Sequence, residues 1–372
     1  LLYRYVRNLH PCAIKRFAER PRMERTHHLP DIRTLSPKEL SQVVSELGQP
    51  AFRAKQLNEW LFEKNVCSFE EMTNLPKAFR EQLAEHFVFA VPTEVVKQVS
   101  KDGSRKYLLQ FPDGVAVETV GMPSRNRLAV CISTQAGCNM GCAFCATGLA
   151  GLTRSLNAQE MVDQVVHVSR DLGERVTSVV FMGQGEPFAN FNETVRALRM
   201  LNSEHGLNIG ARHLTVSTCG IIPNIRAFAD LPEQFTLAVS LHSAIQSTRN
   251  QLMPGVKKYT LVRLHEALQL YTEKTGRRPT YEFAMIEGIN DTNPEMNALC
   301  DFCEGTLCHV NLIQLNDIPD SPFKPSPMKK VEELQRRLQM RGVETTIRNS
   351  RGSDIDAACG QLKQRKINAH LS

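Results

Sequence analysis

The sequence lacks any apolar run long enough to cross a membrane. A helical span needs about 18 or more consecutive apolar residues, and no segment of the 372-residue chain approaches that length. The first thirty residues also lack the apolar core of a secretory signal. Without a signal for an oxidising compartment, the 11 cysteines favour metal or redox chemistry over a disulfide framework. These absences predict a cytoplasmic protein with no membrane partner.

Excess charge is scarce outside the first thirty residues. Residues 1–30 contain seven Lys and Arg and two Glu, which is a net charge of +5 out of +6 for the whole chain. The rest of the chain is close to neutral, so phosphate binding there would have to come from local basic surfaces. Residues 1–33 are expected to form a disordered basic leader. No Ser occurs before Ser36, which argues against a transit peptide.

The sequence does contain three cysteines, Cys138, Cys142 and Cys145, at C-x3-C-x2-C spacing just past an apolar run. Three thiolates can hold three irons of a [4Fe-4S] cluster and leave the fourth iron open to a ligand. Structural zinc is the alternative, but it requires four protein ligands in a closed site. The spacing therefore predicts an iron-sulfur cluster.

The first part of the chain predicts a helical domain and then a β-ribbon. Residues 34–88 contain three predicted helices, with capping boxes at Ser36–Glu39 and at Ser68–Glu71. Residues 89–124 alternate in the manner of short strands separated by turns, which predicts a ribbon that links two domains.

From residue 125 onward, strand-like and helix-like runs alternate as in βαβ units. The predicted strands cover residues 128–133, 178–182, 213–217, 235–241, 280–285 and 310–315, with a further candidate at 345–348. Six units are too few for a closed eight-stranded barrel. The predicted fold class is α/β: a partial (βα)6 barrel over residues 125–372, preceded by the helical domain and the β-ribbon linker.

Polar and glycine-bearing turns follow the predicted strands at their carboxyl ends, where barrel enzymes place their chemistry. They are Gly183–Pro187, Ser217–Gly220, Ser240–Ser243 and Asn316. The glycines on either side of Gln184 allow the backbone to approach a ligand closely, and carbonyls with the Glu186 carboxylate can accept bonds from an ammonium group. Ser217, His242 and Asn316, taken singly, are more often ordinary loop residues with satisfied hydrogen bonds than ligand contacts.

Two further cysteines are candidates for covalent chemistry. Cys131 precedes the cluster motif by seven residues, and Cys359 lies in a polar, glycine-bearing run where a buried thiol fits poorly. Glu118 lies in the last strand of the ribbon on the face opposite Val117, where an exposed surface glutamate is the simplest interpretation.

Together these motifs resemble the RlmN/Cfr family of radical S-adenosylmethionine (SAM) RNA methyltransferases. The cysteine loop resembles the radical SAM cluster loop, and M-G-x-G-E-P, S-T-x-G, S-L-H and D-I-D-A-A-C-G-Q-L follow in the family's order over about residues 34–365. The resemblance implies cluster ligation by Cys138, Cys142 and Cys145, and RNA docking by residues 34–88. It also implies SAM contacts from Gly185, Glu186, Ser217, Ser240, Leu241, His242 and Asn316.

The family's chemistry implies methylation of carbon 2 of an adenosine in 23S rRNA and in tRNA, with two SAM molecules per turnover. Carbon 2 has no nucleophilic lone pair, so a radical route is needed. Cys359 would first be methylated, and a 5′-deoxyadenosyl radical would activate that methyl for addition to the base. Glu118 would accept the carbon 2 proton, and Cys131 would resolve the protein–RNA adduct. The implied partners include an electron donor such as a flavodoxin-type protein and a cellular thiol reductant.

Two alternatives stay open. A Cfr-like enzyme would methylate carbon 8 of the same rRNA base. Pro187 after Gly-Glu resembles the carbon 2 enzymes of the family, whereas Cfr tends to have Ala there, and this resemblance favours carbon 2. A non-catalytic, zinc-stabilised RNA-binding protein would explain cysteines such as Cys300, Cys303 and Cys308 beside His309, but it leaves Cys359 and the strand-end motifs without a role.

Overall fold

The computed structural model describes residues 29–315, 321–348 and 354–355. The chain separates into two compact units. The first contains the residues up to Val91 together with Ser203–Asn208, and the second contains Pro92–Asn202 and the residues from Ile209 onward. Among the described residues, no helix is long and apolar enough to cross a membrane.

The described part of the first unit, from residue 29, contains three short α-helices. They are α1 (Pro37–Glu46), α2 (Phe52–Asn58), which continues as a π-helical turn (Glu59–Glu63), and α3 (Lys77–His86). The capping box predicted at Ser36 is present, because Ser36 Oγ accepts the Glu39 N–H and Glu39 accepts the Ser36 N–H at 2.7 Å. The second predicted capping box is wrong: residues 68–71 form bends and turns, and the Glu71 carboxylate accepts the Cys67 N–H at 2.8 Å.

The helices of the first unit pack their apolar faces into one core. Its fully buried side chains include Leu40, Leu57, Met72, Phe79 and Leu83. Helical spacings of three and four residues put Leu40, Leu57, Phe79 and Leu83 on the buried faces of their helices, whereas Met72 comes from the segment before α3.

The second unit is built on one ten-stranded sheet. In chain order the strands are β1 (Thr93–Val99), β2 (Arg105–Gln110), β3 (Ala116–Ser124), β4 (Arg127–Cys131), β7 (Ser178–Phe181), β8 (Leu214–Thr218), β9 (Thr236–Ser240), β10 (Thr280–Met285), β11 (His309–Gln314) and β12 (Glu344–Arg348). Strands β1 to β4 pair antiparallel, and from β4 to β12 every pairing is parallel. A separate hairpin, β5 (Gln135–Gly137) and β6 (Leu152–Ser155), lies between β4 and β7 in sequence.

Helices connect the parallel strands. They are α4 (Ala146–Leu149), α5 (Ala158–Leu172), α6 (Phe191–Asn202), α7 (Ile222–Ala229), α8 (Gln246–Leu252), α9 (Leu261–Thr275), α10 (Asn293–Cys303) and α11 (Met328–Met340). The alternation of strands and helices confirms the predicted α/β class. All six predicted parallel strands are present within one or two residues, and the further candidate at 345–348 is β12. The strands of the predicted ribbon, β1–β3, belong to the second unit and extend the same sheet.

The two faces of the sheet have different surroundings. One, here called the outer face, packs against helices: a Cβ at Gly121 of β3 would lie only 2.6 Å from Val168 of α5. Residues alternate between faces along a strand, so side chains one position away, such as Val120, lie on the opposite inner face. Along β8, Val216 is fully buried while its neighbours Thr215 and Ser217 are only partly buried. The inner face therefore holds the polar positions expected of an open barrel interior.

Candidate active site

The three cysteines of the predicted cluster motif lie in the loop that joins β5 and β6. Gly137 at the end of β5 has a φ of +82°, and a Cβ there would lie 2.0 Å from the Gly151 carbonyl oxygen. Only glycine fits this position. The Cys138 N–H donates to the same Gly151 oxygen at 2.9 Å. The hairpin therefore fixes both ends of the cysteine loop.

The loop thiols act on one another electrostatically. Burial raises the pKa of Cys138 to about 12, and the charges of Glu186, Cys142 and Cys145 add to the rise. Burial likewise raises the pKa of Cys145, with a contribution from Cys142. Apolar side chains pack around Cys142, among them Leu252, Met253, Val256 and Ile286. Three mutually close thiols beside an apolar cluster fit a [4Fe-4S] cluster, because its irons offset thiolate repulsion and its binding displaces the thiol protons.

The cysteines weighed as a zinc site lie elsewhere in the second unit. Cys303 and Cys308 hydrogen-bond to each other, whereas His309 Nε2 lies 3.0 Å from both Asn311 Oδ1 and Thr346 Oγ1. In residues 29–315, 321–348 and 354–355, no group of three or more His, Cys, Asp or Glu is arranged to hold a single metal ion. A cluster differs from such an ion in that each thiolate binds a different iron.

Cys219 is a member of this site that the sequence did not indicate. It follows β8 in the S-T-x-G turn, and its spacing alone fits a small buried hydrophobe. In the fold its thiol donates to the Cys142 sulfur, and this hydrogen bond lowers the pKa of Cys142 and raises that of Cys219. Its carbonyl accepts a 2.6 Å bond from the buried guanidinium of Arg249. The strand-end position was the only signal that could have found it.

The Glu186 carboxylate ties two strand-end turns together. It is 1% exposed, and it accepts bonds from Phe188 N at 2.9 Å, Thr218 Oγ1 at 2.7 Å and Cys219 N at 2.7 Å. Burial raises the pKa of Glu186, and these hydrogen bonds oppose the rise. The Glu186 carboxylate therefore already accepts its hydrogen bonds from other groups of the protein.

The Gly183–Glu186 turn packs closely against β5, the first strand of the cysteine hairpin. A Cβ at Gly185, whose φ is +101°, would lie 2.5 Å from the Gln135 Cβ. Gln135 Oε1 accepts the Glu186 N–H at 2.9 Å, and the Gln184 carbonyl accepts the Thr134 N–H at 2.8 Å. The Gln184 side-chain Oε1 is buried without a hydrogen bond. Glycine at 185 is thus required for the close approach of the two loops.

His242 packs against the cysteine loop through its contact with Phe144. Its ring meets Phe144 edge-on with centroids 4.7 Å apart, and its Nδ1 accepts the Ala284 N–H at 3.0 Å. Burial, with a contribution from the Arg249 charge, lowers the pKa of His242 to about 3. The imidazole is therefore neutral at physiological pH. The side chain of Leu241 is fully buried, whereas Ser217 and Ser240 are only partly buried at the ends of β8 and β9.

Glu118 and Cys131 lie close together on the inner face. Val120 pairs with Cys131 across β3 and β4, and Glu118 lies two residues from Val120 on the same side. Glu118 is 3% exposed, so the interpretation as an exposed surface glutamate is wrong. Its carboxylate forms an ion pair with Lys106 of β2, which the sequence did not indicate. Burial raises the pKa of the Cys131 thiol, and the charges of Arg348 and Lys106 oppose that rise.

Two predicted site residues, Cys359 and Asn316, lie outside the described residues. The other eleven belong to the second unit, and contacts link the cysteine hairpin to the turns that follow β7, β8 and β9. These turns follow parallel strands, whose carboxyl ends meet at one edge of a sheet.

Comparison with known proteins identifies the architecture. Residues 31–89 match the ribosomal RNA large subunit methyltransferase N-terminal domain, and residues 132–301 match the radical SAM superfamily. Proteins named "Probable dual-specificity RNA methyltransferase RlmN" from Bacillus velezensis and Bacillus subtilis are each 46% identical over 340 residues, covering 91% of this chain and 94% of theirs.

A solved structure supports the same assignment. The crystal structure of a radical SAM methyltransferase from Sphaerobacter thermophilus matches with a TM-score of 0.85 and 41% identity, covering 89% of this chain and 98% of that one. The resemblance inferred from the motifs is thereby confirmed. The chain belongs to the RlmN family of radical SAM RNA methyltransferases, which use a [4Fe-4S] cluster and S-adenosylmethionine.

Proposed function

We propose that this enzyme methylates carbon 2 of adenosine in 23S rRNA and in tRNA, with Cys359 as the methyl carrier. The observation that carries the proposal is the placement of Glu118 and Cys131 on one face of two paired strands. Carbon 2 methylation through a cysteine requires both a proton acceptor and a second thiol, and these residues supply that pair. Pro187 after Gly-Glu favours carbon 2 over carbon 8.

In this proposal Cys138, Cys142 and Cys145 hold the cluster. SAM bound to the open iron would supply the 5′-deoxyadenosyl radical. The Gly185–Glu186 backbone would receive the SAM amino group through carbonyls, because the Glu186 carboxylate is occupied by Thr218 and Cys219. Ser217, Ser240, Leu241, His242 and Asn316 complete the SAM contacts. The neutral imidazole of His242 would contact its ligand without adding charge.

The chain's own residues then complete the transfer. The radical adduct between Cys359 and the base gives up one electron, which the oxidised cluster could accept, and Glu118 takes the carbon 2 proton. The Cys131 thiolate then attacks the Cys359 sulfur and breaks its bond to the transferred carbon. That carbon keeps the electron pair and takes up a proton to become the methyl group of the released RNA, and a Cys131–Cys359 disulfide remains. A cellular thiol reductant restores both thiols, and a one-electron donor of the flavodoxin type reduces the cluster. Both requirements fit a reducing cytoplasm.

We assign RNA docking to the helical domain, residues 34–88. Support comes from its surface, where Phe52 is 57% exposed and the Arg53 guanidinium lies 4.9 Å from its ring centroid. Lys55 is exposed on the same helix. An exposed aromatic ring beside cations suits stacking on an unpaired base. Full-length Phe52→Ala should bind RNA more weakly than the wild type, and equal affinity would place docking elsewhere.

Mass spectrometry of nucleosides tests the proposed reaction. The reconstituted protein is incubated with SAM, a reductant and either 23S rRNA or tRNA, and adenosine is then analysed. The expected product is 2-methyladenosine in both RNAs. Product at carbon 8 would replace the proposal with the Cfr-like alternative, and iron-free protein containing zinc would remove the radical route.

A further inference from the structure

A buried lysine contacts the candidate proton acceptor. Lys106 is 1% exposed and Glu118 is 3% exposed, and Lys106 Nζ lies 3.0 Å from Glu118 Oε2. Burying two such charges costs several kcal/mol per ion, and apolar replacements of buried pairs are often neutral or stabilising. Stability is therefore a weak explanation for this pair, and a role in the reaction is the stronger one.

The strand register places the lysine in the same row as the resolving thiol. Lys106 pairs with Val120 across β2 and β3, and Val120 pairs with Cys131 across β3 and β4. Glu118 lies one pleat away on the same face. The lysine, the acceptor and the thiol thus occupy one inner patch, although they come from three strands.

The neighbouring cation has a different role. Arg105 lies on the outer face, where it pairs with Asp171 of α5. Lys97 and Tyr107 bind the same carboxylate, at 2.6 Å and 2.7 Å. The polar contacts that attach α5 to the sheet therefore come from groups on the outer face, and they do not require Lys106.

The geometry points to Lys106 as the positioning residue of the proton acceptor, an inference that rests on the role proposed for Glu118. Lys106 binds Glu118 Oε2 and so sets the direction of the carboxylate, without itself touching the base. A base must lie within hydrogen-bond reach of the proton that it removes, and a displacement of about 1 Å can cost about 10²-fold in rate. The pair is thus held ready before RNA binds.

Full-length Lys106→Met tests this inference. The variant, loaded with cluster and SAM, should still methylate Cys359 and form the protein–RNA adduct, but it should release methylated RNA about 10²-fold more slowly. With deuterium at carbon 2 of the target adenosine, release should show a larger isotope effect than in the wild type, because proton removal has become limiting. Lys106→Arg, which keeps the cation, should recover part of the rate.

The matched control is Arg105→Gln, which removes an adjacent cation on the outer face. It should leave the partition between adduct and product, and the isotope effect, at wild-type values. Normal release by Lys106→Met would overturn the inference. Slow release with an unchanged isotope effect would also overturn it, because the defect would then lie in the attack by Cys131.

A double variant covers the case in which Lys106→Met does not fold because the buried carboxylate has lost its lysine. Lys106→Met with Glu118→Gln removes both charges of the pair, and its release rate should equal that of Glu118→Gln alone, because residues that act through one another are not additive. A further loss would contradict the inference. Normal release by Glu118→Gln would instead show that the proposed acceptor is wrong.

Discussion

The cysteine loop and the patch on β2–β4 both carry candidate chemistry, but they are assembled differently. The loop takes its three thiols from residues 138–145, and a local hairpin closes it. The patch takes Lys106, Glu118 and Cys131 from three strands and aligns them by register. The comparison teaches that sequence spacing can indicate a cofactor site, whereas the groups proposed to act in the transfer are brought together only by strand register.

The largest effect should come from the loop itself. Cys138→Ala should lose the cluster and all RNA methylation, because two thiolates leave a second iron without a protein ligand. Iron and sulfide analysis of anaerobically prepared protein measures this. Cys67→Ala, in the first unit, is the control and should keep about four irons. A Cys138→Ala variant with the full iron content would contradict the ligand assignment.

The next largest effect should distinguish the role of the patch on β2–β4 from that of the cysteine loop. Cys131→Ala should keep its cluster and its methylated Cys359, yet accumulate a covalent protein–RNA species, because a thioether has no other route to release. A denaturing gel detects the species, which should be absent from a Cys131→Ala, Cys359→Ala double variant. Cys308→Ala should behave as the wild type. Normal turnover without an adduct would eliminate the resolving role.

A smaller effect is expected at the Gly183–Glu186 turn, which packs against the cysteine hairpin. Gly185→Ala combines a positive φ with a Cβ only 2.5 Å from Gln135, and it should cost about 2–5 kcal/mol of stability. Gly114→Ala has a φ of +84° but open space around its Cβ, so it should cost about 1–2 kcal/mol. Chemical denaturation of both variants measures the difference. Equal losses would show that the close approach to Gln135 is not a constraint.

The smallest effect concerns the outer face behind the patch. Burial alone would raise the pKa of Asp171, but hydrogen bonds from Lys97, Tyr107 and Arg105 lower it well below its usual range. The stability from this carboxylate is therefore present above its unfolded pKa of about 3.9 and is lost as pH falls towards the folded value. Asp171→Asn should lose about 1–3 kcal/mol at pH 7, and the gap from the wild type should shrink below about pH 4. Thermal unfolding at several pH values tests this, and a gap that stays constant would contradict it.

Much of the architecture could be predicted because its signals are local. Alternating apolar runs predicted the parallel strands to within one or two residues, and a capping box marked the start of α1. The capping box predicted at Ser68 failed because Glu71 instead accepts the Cys67 N–H in a turn. A capping motif predicts a helix only where the following residues bury an apolar face, which is a tertiary condition.

The sequence by itself determined the cofactor chemistry of this protein, because the spacing of Cys138, Cys142 and Cys145 and the glycine of the Gly185 turn restrict what the local chain can bind. Only the tertiary structure decided which polar groups meet. It paired Lys106 with Glu118, placed Cys219 against Cys142 and used the Glu186 carboxylate to join two turns. The physical reason is that strand register and loop packing bring residues distant in sequence into contact. A buried charge without a partner is also energetically costly, so the fold supplies one.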